Sequence, residues 1–172
     1  MIHKGSWTNA DVFLYSQDHR QWVEKGFEAK HPVVRWTIGI LLTQRELFIS
    51  KQLKGLTGIP IGYTRKSLYA LTYNYMDGMV LSTKSLDHAL PVDYFIACEK
   101  LLHNIHGKGV VHLDLRRAGN WIIQPDGSPG IIDFQSAFLV NLLPGRLKKF
   151  LFSIDYSGLY KTWNQKCVQG LD

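Results

Sequence analysis

The chain has 172 residues, 45% apolar and 20% charged, which supports a packed core and excludes a disordered chain. No stretch is long and apolar enough for a membrane-spanning helix, and the two distant cysteines, Cys98 and Cys167, exclude a disulfide-stapled fold and are expected as reduced thiols. A formal charge of +6 and a pI near 9.3 suit polyanionic partners (nucleotide phosphates, nucleic acid or an acidic membrane face) without choosing among them.

The first residues, "MIHKGSWTNADVFLY", lack the apolar core of a secretory signal, so a cytoplasmic protein is expected. Two short strands follow, "DVFLYS" and "QWVEKGF", around a "QDHR" turn. Residues 40 to 54 place Leu42, Leu47, Phe48 and Leu53 near helical spacing, and Gly55 with "TGIPIG" stops that helix. Residues 68 to 76, "LYALTYNYM", read as a strand closed by an Asp-Gly turn. The clearest helix spans 91 to 107, with Pro91 at its start and Phe95, Cys98, Leu101, Leu102 and Ile105 on its apolar face. After a polar loop, "NWII" and "GIIDF" form a hairpin about "PDGSPG". The last part, "LLPGRLKKFLF" and "DYSGLYKTW", reads as one or two helices. Strands with one helix come first and a mainly helical half around a hairpin second, an α+β chain of two lobes in one domain over 1–172. The first lobe is expected to run to about residue 76 and the second from about 80, joined across 73–79.

The polar loop carries His112, Asp114 and Asn120, and Asp133 is expected inside the second hairpin strand. Singly, Asp and Asn are ordinary turn formers. Together, a hairpin brings a carboxylate, an amide and a second carboxylate into one place, and such hard oxygen donors suit magnesium.

The order helix, His-x-Asp loop, Asn, strand, turn, strand and Asp-Phe resembles the catalytic half of the protein-kinase-like superfamily. The resemblance implies a minimal two-lobed kinase-like fold with a β-rich N-lobe and a truncated helical C-lobe. It implies ATP with Mg2+ or Mn2+ as cofactors, Asp114 receiving the acceptor's proton, and Asn120 and Asp133 holding the metal. Arg116 would face the transferred phosphate, while His112 buttresses the loop and Asp155 steadies it from the next helix. Upstream, Lys25 would meet the nucleotide phosphates and Glu46 pair with it. "GSWTNADV" overlays the phosphate-loop pattern, with Gly5 at the first glycine and Val12 at the valine. Around Tyr73 and Tyr75 the backbone would meet adenine.

"QRELFISKQLKGLTGIP" and the short stretch from Asp133 to Asp155 are most similar to RIO-type kinases and to lipopolysaccharide-core (Kdo/heptose) kinases. The Asp114-to-Asn120 step is one residue longer than the kinase pattern, and a one-residue bulge is expected at "RRAGN", with Gly119 permitting its dihedral. The implied activity is transfer of the ATP γ-phosphate to a hydroxyl, on protein Ser/Thr or a lipopolysaccharide core sugar. The alternative is a pseudokinase that binds nucleotide or serves as a scaffold. Nucleic acid is not expected as a partner. A peripheral contact with the inner membrane face through "GRLKKFLF" is a further expectation.

Overall fold

A computed structural model describes residues 9–169, and of Ser85 the backbone alone. Gly5 and the start of the phosphate-loop segment lie outside the described residues. The chain divides into two compact units, the first ending at Met76 but yielding residues Gly55–Ile59 to the second.

The first unit is a four-stranded sheet in the order β1-β2-β4-β3 with helices following β2. Strand β1 (Asp11–Gln17) pairs antiparallel with β2 (Arg20–Gly26) without a slip, from Asp11↔Gly26 to Gln17↔Arg20. The two turn residues Asp18 and His19 both have positive φ, the twist that suits a two-residue hairpin. Strand β4 (Ala70–Asn74) lies on the other side of β2, and β3 (Thr64–Ser67) pairs with β4. The sequence reading missed β3. Its residues "TRKS" show no apolar alternation, because an edge strand buries little and its charges discourage further pairing. The predicted strand 68–76 is correspondingly shorter, since Leu68 and Tyr69 form the β3–β4 turn.

A helical run leads from α1 (Pro32–Val34) through a π-helical segment (Arg35–Gly39) into α2 (Ile40–Gln52). His31 caps the run and Pro32 opens it. Gly39 lets the run approach Phe27, whose ring and Cβ would lie 3.0 Å from a β-carbon there. The core consists of Ala10, Phe27 and Val34 at one end and Val23, Leu47, Leu71 and Tyr73 at the other.

The second unit is built on α3 (Val92–Gly107) and α4 (Gly145–Lys166), with Phe95 stacked on Trp163 at 5.2 Å between centroids. Phe95, Cys98, Leu102 and Ile105 are fully buried, as their spacing predicts. Each such aromatic or aliphatic side chain contributes roughly 1.5–3 kcal/mol by leaving water. β5 (Met79–Val80), β7 (Trp121–Ile123) and β8 (Pro129–Ile131) make a small antiparallel sheet. Gly58 accepts the Ile131 N–H at 2.8 Å and so binds the segment Gly55–Ile59 to β8. β6 (Val110–Val111) pairs with β9 (Phe138–Leu139).

One expectation is settled here and one changes. The C-terminal region is a single helix of 22 residues, despite the internal Gly158. Asp133 lies beyond β8, not inside it. The architecture is α+β, with a sheet-rich first unit and a second dominated by two helices. Among the described residues, no helix is long and apolar enough to cross a membrane.

Candidate active site

The polar loop between β6 and β7 is held from below by one side chain. Asp155, buried in α4, accepts the His112 N–H on Oδ2 at 2.8 Å and the Leu113 N–H on Oδ1 at 2.7 Å. His106 Nε2, at the end of α3, lies 3.0 Å from the same Oδ2. Leu113 adopts φ +63°, a left-handed conformation that a leucine takes only when its surroundings enforce it. The carboxylate supplies that enforcement, because one buried and one half-buried amide would otherwise go unpaired. Asp155 therefore occupies a mid-helix position as a brace rather than capping a helix.

His112 ties the loop to the hairpin. Its Nδ1 lies 3.3 Å from the Asp114 N–H, which must donate, so Nδ1 is unprotonated and Nε2 carries the hydrogen. Nε2 then donates to the Ile132 carbonyl at 3.0 Å. Full burial holds the imidazole below its ordinary pKa, against the opposing pull of the carboxylates of Asp155, Asp133 and Asp114. The ring also meets Phe134 edge-on, with centroids 4.9 Å apart.

Asn120 ends a 3-10 turn (Ala118–Asn120) at the mouth of β7. Its Nδ2 donates to the Asp114 carbonyl at 2.8 Å and to Asp114 Oδ2 at 3.1 Å. Those bonds orient the amide and turn Oδ1 away as the remaining acceptor. The Asn120 carbonyl takes the Ile132 N–H at 3.0 Å, so the residue before Asp133 is bonded to both Asn120 and His112. Asp133 itself has φ +64° and caps the 3-10 turn Phe134–Ser136, accepting from the Gln135 N–H at 3.4 Å. Gln135, which stands where the kinase pattern has glycine, keeps a negative φ, so glycine's freedom is not needed there. Within "RRAGN" the residues Ala118–Asn120 form a 3-10 turn, and Gly119 does not take the positive φ expected of it. Arg116 is solvent-exposed, and Arg117 Nε lies 3.5 Å from Asp114 Oδ1. That exposed ion pair adds little to stability.

The first unit holds the other predicted residues. Lys25 Nζ and Glu46 Oε2 are 2.9 Å apart, with side chains only 6% and 2% exposed. Val12 stands opposite Lys25 in the β1–β2 pairing and packs against the Val23–Tyr73 cluster. The Tyr73 ring is in that cluster, stacked on Tyr63 at 4.8 Å, and its backbone pairs with Val23. The Tyr75 N–H donates to the Gln21 carbonyl at 3.1 Å, so this amide is engaged within the unit and is not open to a base.

Two supporting residues escaped the sequence reading. His106 sits at the buried spacing of α3, after Leu102 and Ile105, and stacks on Phe152 with centroids 4.1 Å apart. Its place on the apolar face was the signal. Gly158 lets α4 press on the loop: a β-carbon there would lie 2.7 Å from both the Leu115 carbonyl carbon and the Arg116 nitrogen. A glycine inside an otherwise regular helix marks such an approach.

No family model and no curated protein matches the chain. Among solved structures it is similar to Rio2 kinase from Chaetomium thermophilum, with a TM-score of 0.75 and 13% identity over 97% of this chain and 57% of that one. A complex of Rio2 kinase from the same organism with ADP/Mg2+ and phosphoaspartate matches with a TM-score of 0.73 and 15% identity, over 95% and 55%. The fold is protein-kinase-like. The chain spans little more than half the length of these kinases. In this kinase-like fold the braced loop and hairpin belong to the second unit, and the Lys25–Glu46 pair to the first.

Proposed function

We propose that the chain is an ATP- and magnesium-dependent phosphotransferase that moves the γ-phosphate to a hydroxyl. The observation that carries this reading is the loop pinned by Asp155, which fixes Asp114, Asn120 and the residue next to Asp133 by mutual hydrogen bonds. Asn120 Oδ1 and the Asp133 carboxylate fit Mg2+ or Mn2+, since both are hard oxygen donors. A bound metal would neutralise phosphate charge and orient the triphosphate.

Asp114 orients the acceptor hydroxyl and takes its proton on a carboxylate oxygen as the new O–P bond forms. The bond from the γ-phosphorus to the bridging oxygen breaks, and that oxygen leaves with ADP. Arg116, two residues on and solvent-exposed, can meet the transferred phosphate with a two-pronged guanidinium contact. Lys25, held by Glu46, meets the nucleotide phosphates. Catalysis of this kind is largely positioning and charge compensation. The acceptor is a protein Ser/Thr or a lipopolysaccharide core sugar.

The test is thermal unfolding with ATP and Mg2+, beside a radiolabelled phosphate-transfer assay. ATP at a hundred times its dissociation constant stabilises by about 2.7 kcal/mol. That shift is expected in the wild type and in Asp114→Asn, and lost in Asp133→Ala. Transfer is expected in the wild type alone. A magnesium-dependent shift without transfer to any protein or sugar acceptor supports the pseudokinase instead.

A further inference from the structure

Before Phe152, which stacks on His106, the first turns of α4 carry large apolar side chains into solvent. Leu142 in the preceding turn is 99% exposed, Phe150 61% and Leu147 42%, and Arg146, Lys148 and Lys149 alternate with them. No acidic residue occurs from Phe134 to Ile154. A helix that only covered the core would turn Leu147 and Phe150 inward. Here the buried face begins at Asp155 and runs through Gly158, Leu159, Thr162 and Trp163.

The exposed end is firmly mounted. Val140 is fully buried and donates its N–H to the Gly109 carbonyl at 2.8 Å, and the Leu143 N–H closes a turn on Val140. Leu142 is thus presented at the apex of an anchored turn.

We infer that this end of α4 docks on an anionic lipid surface. Leu142, Leu147 and Phe150 would enter the interface while Arg146, Lys148 and Lys149 meet the headgroups. Apolar and cationic groups on one short amphipathic element match the two components of interfacial binding, burial and attraction to acidic lipids. Charge alone would also suit nucleic acid, but that partner gives no use to an exposed Leu142. The surface lies about 8–14 Å along the α4 axis from Asp155, at 1.5 Å per residue, so docking would hold the loop near the bilayer. The inference stands apart from phosphate transfer and needs no nucleotide.

The experiment is co-sedimentation of the full chain with phosphatidylcholine vesicles, with and without phosphatidylserine. Binding is expected only with phosphatidylserine. It should weaken about fivefold in Lys149→Gln, the effect of one interfacial cation. It should vanish in Leu142→Asp with Phe150→Asp, whose melting curve should match the wild type because both residues are exposed. Equal binding to pure phosphatidylcholine overturns the inference, as does undiminished binding by the double variant. So does binding of a single-stranded RNA in preference to phosphatidylserine vesicles, or wild-type dimerisation that the double variant abolishes.

Discussion

His112 shows how one buried side chain makes the loop sensitive to proton concentration. The imidazole is neutral in the folded protein and held below its ordinary pKa by burial. An unfolded histidine takes a proton near pH 6.5, so below that value the unfolded chain binds more protons and gains relative to the native state. Stability is therefore expected to fall as pH drops below about 6.5, with a slope of up to ~1.4 kcal/mol per pH unit from this one group. His112→Gln keeps an N–H for the Ile132 carbonyl and cannot titrate. Urea midpoints measured from pH 7.5 down to 5 should fall less steeply in that variant, by about this amount. Parallel profiles would mean that His112 is protonated within the fold.

At the scale of the element, α4 does its work through a glycine that costs it helix stability. Alanine in place of an interior helix glycine ordinarily gains ~1 kcal/mol. Gly158→Ala should do the opposite, because its β-carbon would meet the Leu115 and Arg116 backbone at 2.7 Å. The variant is expected to melt lower and to lose phosphate transfer, and a raised melting temperature would refute the close contact. The sequence reading found α3 and the hairpin because their apolar periodicity and turn residues are local properties. It could not find β3, whose polar residues form an edge, nor decide between one and two helices at the C-terminus. Gly158 lies inside the second of the two segments read there, and the loop packed against it explains its presence. Asp114, Asn120 and Asp133 were legible as a group from their spacing. Their anchorage on Asp155 was implied only by the family resemblance, and the link through the backbone of Ile132 was not legible at all.

For the molecule as a whole, the Lys25–Glu46 pair distinguishes what the fold needs from what a nucleotide would need. Two charges so deeply buried are poor stabilisers, yet removing one alone strands the other. Glu46→Ala is expected to lose about 3–5 kcal/mol of stability. Lys25→Met with Glu46→Leu should restore stability to near wild type while abolishing the thermal shift by ATP and Mg2+. A double variant that still responds to ATP would free the pair from any part in nucleotide binding. The two units also differ in how they are supported. The first is a sheet whose hairpin register is set by adjacent strands, whereas the second depends on contacts between residues far apart in the chain, such as His112 with Asp155.

That last contact limits what can be moved from this protein to another. The left-handed Leu113 and the Asp114 that follows it are shaped by a carboxylate more than forty positions downstream. A loop transplanted by itself would carry the chemistry of its side chains but not their arrangement. The smallest portable unit is the loop together with α4 and the hairpin strand that carries Ile132, and copying the motif alone would leave those bonds behind.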